Sequence, residues 1–240
     1  MIQVLVDLAN TPVFRGLYRP NQALVGARLD ELILRTSDLI VVGLPARLHE
    51  VRFRLYDGWY DCEGVGTDLH GMVRGHVRQT YPTLRRRLRV FAEIAQSAVV
   101  SPDDCFVDTY RQQRGLSRYP VSISRTPTPA CAAPLSCAVN ELRTWFKGTC
   151  PHLSGCHATS QDVAGFGYQK LVDTTLVADA IWLASQKQMI AVVSEDEDVL
   201  PGLITARFYG SPVLWLGHTV APRAPYSDLV RKHKIRYVQC

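Results

Sequence analysis

Apolar positions along the chain gather into short runs separated by polar and turn-forming residues. The runs at 2–6, 51–56, 90–100, 189–193, 213–216 and 235–238 predict buried strands. Helical spacing is predicted over 23–34, with Leu24, Ala27, Leu32 and Ile33 on one side, and again over 176–185. Short apolar strands alternating with helices predict an α/β fold on a mostly parallel sheet. In such sheets ligands bind outside the carboxyl ends of the strands. Two acidic places meet that edge: Asp7 closes the first strand, and the run from Ser194 to Asp198 follows the strand at 189–193.

At 240 residues, 47% hydrophobic and 20% charged, the chain is long enough for one sizeable core, and we expect a single domain over 1–240. Between 125 and 160 the composition shifts to Pro, Thr, Ser, Ala and Cys, which predicts an insertion with its own local fold. The first residues lack the basic region and small-residue cleavage site of a secretory signal. No apolar run approaches the ~20 residues of a membrane span. These features lead us to expect a cytoplasmic protein with no membrane partner.

The net charge of +5 is unevenly distributed. The stretch 69–92 has no acid but carries Arg74, Arg78, Arg85, Arg86, Arg87 and Arg89. The stretch 109–140 is again free of acids and contains Arg111, Arg114, Arg118 and Arg125 beside Tyr110 and Tyr119. Any one such stretch is ordinarily a solvated face. Together with the basic tail at Arg231, Lys232, Lys234 and Arg236 they point to a polyanionic partner, because Lys and Arg neutralise phosphates and release counterions.

Three acidic groups carry the candidate chemistry. Asp7 and Asn10 follow the first strand, where a turn can aim both side chains at one point; an Asx-turn is the commoner use of such a pair. Asp173 is placed to cap the helix that follows it. Asp179 has Leu176, Trp182 and Leu183 as helical neighbours, and an acid in an apolar stripe is uncommon unless it is paired or ligated. In the run 195–198, alternate members share a direction if the chain stays extended, making Asp196 and Asp198 the inward pair and turning Glu195 and Glu197 away. Carboxylates gathered from separate elements repel unless a cation or donors compensate them, and a hard ion such as Mg²⁺ is the usual compensation.

Four of the seven cysteines form a symmetric pattern, Cys131 and Cys137 then Cys150 and Cys156, with His152 and His157 beside the second pair. Without a secretory signal such a set more often binds zinc than forms disulfides, and zinc would staple the insertion. Free thiols and two disulfides are the alternatives.

The segments Val4-Leu5-Val6-Asp7-Leu8-Ala9-Asn10, Lys170-Leu171-Val172-Asp173 with Asp179-Ala180, and Val192-Val193-Ser194-Glu195-Asp196-Glu197-Asp198 resemble, in order and spacing, NYN-domain proteins of the PIN-like nuclease superfamily. The stretch from Arg54 to Tyr60 also looks like the second-strand region of some bacterial members. The resemblance covers about 1–60 and 168–220, with Glu195, Glu197 and Val199 standing where the family commonly has Gly, Ser and Phe. It implies a three-layer fold with a central parallel sheet and an acidic pocket of Asp7, Asn10, Asp173, Asp179, Asp196 and Asp198. It also implies metal-dependent cleavage, usually of RNA.

The expected function is therefore a nuclease that hydrolyses phosphodiester bonds, RNA before DNA. Asp7, Asp179, Asp196 and Asp198 would hold Mg²⁺ or Mn²⁺, and Cys131, Cys137, Cys150 and Cys156 a structural Zn²⁺. Arg85, Arg86, Arg87, Arg111, Arg114 and Lys170 would hold the strand, and a protein partner or a second copy remains open. The alternative is a nucleic-acid- or protein-binding module with weak or no catalysis, to which Glu195 and Glu197 point. A haloacid-dehalogenase-like phosphatase, suggested by Asp7-Leu8-Ala9-Asn10-Thr11, lacks its second Asp because Ala9 stands there.

Overall fold

The computed structural model describes residues 1–14, 21–42, 49–114, 165–169, 171–224 and 226–240. The elements run β1 (Ile2–Asp7), α1 (Gln22–Val41), β2 (His49–Tyr56), α2 (Asp68–Thr80), β3 (Thr83–Arg85), β4 (Leu88–Ile94), β5 (Tyr110–Arg114) and β6 (Gly165–Gln169). They continue through α3 (Val172–Ser185), β7 (Met189–Val193), a 3₁₀ turn (Glu197–Val199), α4 (Leu200–Phe208), β8 (Val213–Gly217), α5 (Tyr226–Lys232) and β9 (Arg236–Gln239). The chain divides into two compact units, one of Met1–Tyr110 with Gln169–Cys240 and the other of Arg111–Tyr168. The expected Cys-rich insertion, with Cys131, Cys137, Cys150, Cys156, His152 and His157, lies outside the described residues, as does Lys170.

The first unit is built on a seven-stranded sheet in the order β3-β4-β2-β1-β7-β8-β9. Every neighbouring pair is parallel except β3 with β4. β1 is the central strand and is buried along its whole length, as a strand covered on both faces must be. Its alternate side chains enter different cores. Ile2, Val4 and Val6 pack with Val25, Leu29 and Ile33 of α1 and Val73 and Val77 of α2, whereas Leu5 packs with Leu176 and Ala180 of α3 and Leu203 of α4. Helices thus cover both faces, giving the three-layer α/β arrangement, with five α-helices among the described residues. No helix among them is long and apolar enough to cross a membrane.

Several boundaries differ from expectation. The buried face of α1 is Val25, Leu29, Leu32, Ile33, Thr36 and Ile40, so Leu32 and Ile33 are buried as expected, whereas Val25 and Leu29 take the inward places expected of Leu24 and Ala27, which are exposed. The strand expected over 90–100 stops at Ile94, because the chain then leaves the sheet and Val99 donates its N–H to Asp179 at 2.6 Å. Six elements, α2, α4, α5, β3, β5 and β6, fall where the sequence predicts none.

The topology fixes one special place. From β1 the chain crosses through α1 to β2 on one side, while from β7 it crosses through α4 to β8 on the other. The carboxyl ends of β1 and β7 are therefore a topological switch point, where the diverging connections leave a crevice for a ligand.

Candidate functional site at the carboxyl edge of the sheet

Asp7 ends β1 inside that crevice and is fully buried. Its Oδ2 accepts hydrogen bonds from Asn10 Nδ2 at 2.7 Å and from the Ser194 hydroxyl at 3.0 Å, and its Oδ1 accepts from the Asn10 N–H at 3.3 Å. The expected Asp7–Asn10 turn is present, and it serves to orient the carboxylate. Ser194 ties the two central strands together from β7 and also accepts the N–H of Asp196 at 3.0 Å. Burial raises the Asp7 pKa, the bonds from Asn10 and Ser194 oppose that rise, and the charge of Asp196 adds to it.

Asp173 lies in the first turn of α3, not before it. The residue that caps this helix is Leu171, held at φ 64°, with no side-chain cap, and Thr174 and Thr175 donate their hydroxyls to its carbonyl. A carboxylate in a first helical turn is favoured by the helix dipole. Desolvation nevertheless pushes Asp173 up to about 6, joined by the charges of Asp7, Asp196 and Asp198. The side chains of three elements are thus close enough to act on one another.

The loop after β7 is not extended in the alternating way its sequence suggested. Asp196 has extended backbone, and its Oδ1 then accepts the N–H of Asp198 at 2.9 Å, starting the 3₁₀ turn. Glu195 and Glu197 do not simply face water. Glu195 accepts the N–H of His218 at 2.6 Å, and Glu197 accepts the N–H and Nε of Arg223, each at 2.7 Å. Burial acts to raise the Glu197 pKa, but the bonds and charge of Arg223 hold it below its ordinary value. Both glutamates brace the chain after β8, leaving the two aspartates to the acidic set.

Asp179 is placed differently from expectation. It is fully buried on α3, and its Oδ2 accepts from Arg54 Nε at 3.0 Å and Tyr56 Oη at 2.7 Å while its Oδ1 takes the N–H of Val99. Arg54 continues to Glu93 at 2.6 Å and to the carbonyl of Ser97. The apolar stripe around Asp179 thus resolves as a buried ion pair, with both carboxylate oxygens committed to the fold. Asp179 serves there as the internal counter-ion of Arg54.

A residue the sequence reading passed over joins the edge. Asp57 follows β2 as Asp7 ends β1, its Oδ1 accepts from the Gly58 N–H at 2.6 Å and from Gln169 Nε2, and burial raises its pKa to about 7, with the charge of Asp7 adding to the rise. The signal was available: an acid closing an apolar strand, the same cue that singled out Asp7.

The cations expected to hold a strand lie on separate elements. Arg85, Arg86 and Arg87 form the β3–β4 turn, and the Arg87 carbonyl accepts the N–H of His49 at the start of β2. They therefore sit at the amino edge, a strand length of about 20 Å from the acids. Arg86 is engaged there by Asp38 at 3.1 Å. Arg111 and the backbone of Arg114 lie on β5.

Among the described residues no group of three or more His, Cys, Asp or Glu side chains stands ready to hold a metal ion. The carboxyl edge is an acidic field and not a closed cage. Its donors are nevertheless hard oxygens of the kind Mg²⁺ and Mn²⁺ take, and Asp57 and Asp173 are carboxyls whose charge lacks full compensation within the protein. The donor chemistry, though not a preformed ligand group, suits such an ion. No family model matches this chain, and neither a curated protein nor a solved structure matches it.

Proposed function

We propose that the protein is a metal-dependent nuclease of the NYN type within the PIN-like superfamily, acting on phosphodiester bonds in RNA in preference to DNA. The observation that carries this reading is the gathering of Asp7, Asp57, Asp173, Asp196 and Asp198 at the sheet's switch point, from β1, β2, α3 and the loop after β7, with charges that act on one another. Asp7, Asp173, Asp196 and Asp198 would hold Mg²⁺ or Mn²⁺. When bound, such an ion neutralises phosphate charge and makes a nucleophile from water at neutral pH.

The chain's own residues supply position. Asn10 and Ser194 fix the Asp7 carboxylate, so its orientation needs no rearrangement when substrate arrives. Asp57, with a pKa near neutrality, can hold or release a proton beside Asp7. Glu197 keeps Arg223 near the edge, where an exposed guanidinium can meet a phosphate. A zinc ion held by Cys131, Cys137, Cys150 and Cys156 belongs to the same proposal. Zinc content before and after Cys137→Ser with Cys150→Ser tests it separately.

The test of the activity is cleavage of labelled single-stranded RNA, structured RNA and DNA with Mg²⁺ or Mn²⁺, beside EDTA and Asp196→Asn. We expect metal-dependent cleavage of RNA, abolished by both controls. Binding of RNA without cleavage would instead identify a binding module, and turnover of a small phosphomonoester with polynucleotides untouched would identify a phosphatase.

A further inference from the structure

The edge of the sheet opposite the acids carries the reverse chemistry. Where β7, β8 and β9 begin, a cavity of about 400 Å³ opens over Leu39, Met189 and Pro212 and is ringed by Arg207, Lys234 and Arg236. Small-molecule pockets are commonly about 300–1,000 Å³. Among the described residues no carboxylate lines it. Arg207 gives one hydrogen bond to the Ser211 carbonyl at 3.2 Å, which anchors its guanidinium and leaves other N–H groups for a ligand. Neither Lys234 nor Arg236 has a side-chain hydrogen bond or ion pair among the described residues.

The backbone adds an independent observation. The three helix-to-strand turns at this edge each contain a residue in the left-handed region: Lys187 at φ 60°, Gly210 at φ 83° and Lys234 at φ 55°. Glycine takes that conformation without steric cost and a lysine does not. Two of the three turns carry lysine all the same. Lys187 spends its ammonium on the Tyr209 carbonyl, whereas Lys234 lines the cavity.

We propose that this cavity is a second binding site and that it takes a nucleoside monophosphate, with the phosphate on Arg207, Lys234 and Arg236 and the base over Met189 and Pro212. Three cations with no acid among them match a dianionic phosphate monoester; a single carboxylate would leave most of that charge unanswered. Inorganic phosphate alone would leave the apolar floor uncovered. The nucleotide is either free or the 5′-phosphorylated end of a strand. The site goes beyond the nuclease reading and does not depend on it, since it lies a five-residue strand, about 17 Å, from the acids.

Calorimetry in EDTA, which removes any metal-dependent contribution of the carboxyl edge, tests this with AMP, adenosine, 5′-phosphorylated hexauridylate and its 5′-hydroxyl form. The wild type should bind AMP saturably. Affinity should fall by about ten-fold or more for adenosine and for the Lys234→Gln, Arg236→Gln double variant, and stay unchanged in Asp173→Asn. Preference for the phosphorylated oligomer over AMP assigns the site to a strand end, and the reverse assigns it to the free nucleotide; both uphold the proposal. It is overturned if folded wild type binds neither AMP nor the phosphorylated oligomer, if adenosine binds as well as AMP, or if the double variant keeps its affinity. Lys234 and Arg236 are exposed, and circular dichroism of the double variant confirms that the protein compared is folded.

Discussion

Arg54 Nε donates to Oδ2 of Asp179 across 3.0 Å, joining β2 to α3 within the core, and the same guanidinium reaches Glu93 and the Ser97 carbonyl. An acid and a base deep in a core stabilise little as a pair, but breaking the pair leaves a buried charge uncompensated.

Arg54→Met is therefore expected to lower the unfolding free energy by about 3–5 kcal/mol in urea titration. Asp179→Asn should also destabilise, while the fraction that remains folded keeps its metal affinity. Loss of metal affinity in folded Asp179→Asn, with stability intact, would return this residue to the site.

Asp57 predicts a pH dependence. Its folded pKa of about 7 is raised from the ordinary 3.8, so its contribution to stability is fully present below about 3.8 and is lost as pH rises through about 7. At about 1.4 kcal/mol per pH unit the swing is a few kcal/mol. In EDTA, the stability of Asp57→Asn relative to wild type should accordingly rise between pH 4 and pH 8. A constant difference across that range would show that Asp57 is not the titrating group.

How much of this was legible in the sequence depended on how strongly each residue type marks its place. β1, β7 and β8 were readable because strands buried on both faces are near-continuous apolar runs, and β2 because Val51, Phe53 and Leu55 alternate with Arg52 and Arg54. α2 was not, because Gly71 and Gly75 weaken its helical signal and only His70, Val73 and Val77 are buried. α4 was hidden by Pro201 and Gly202, although proline is well tolerated in a first helical turn. At the site, Asp7, Asp173, Asp196 and Asp198 were readable as acids at element ends. Asp179 was readable only as an acid needing compensation, since its partner Arg54 lies 125 residues away and spacing cannot reveal it. The same holds for the edge on which Arg85, Arg86 and Arg87 fall, which strand direction decides and local sequence does not.

Ser194 holds the carboxyl edge together through its bonds to Asp7 and to the Asp196 N–H. Ser194→Ala leaves two polar groups without this partner, so we expect a loss of about 1–3 kcal/mol in stability. It should also weaken Mn²⁺ binding although no carboxylate has been removed. Unchanged stability and unchanged Mn²⁺ affinity together would show that the hydroxyl is dispensable.

The most direct measurement of the central claim is a Mn²⁺ titration of the purified protein by calorimetry, comparing wild type with Asp7→Asn and Asp173→Asn, each checked for folding. The account predicts saturable binding of one or two ions to the wild type, weakened about ten-fold or more by either substitution. No saturable binding to folded wild type, or the same binding in all three proteins, would contradict it.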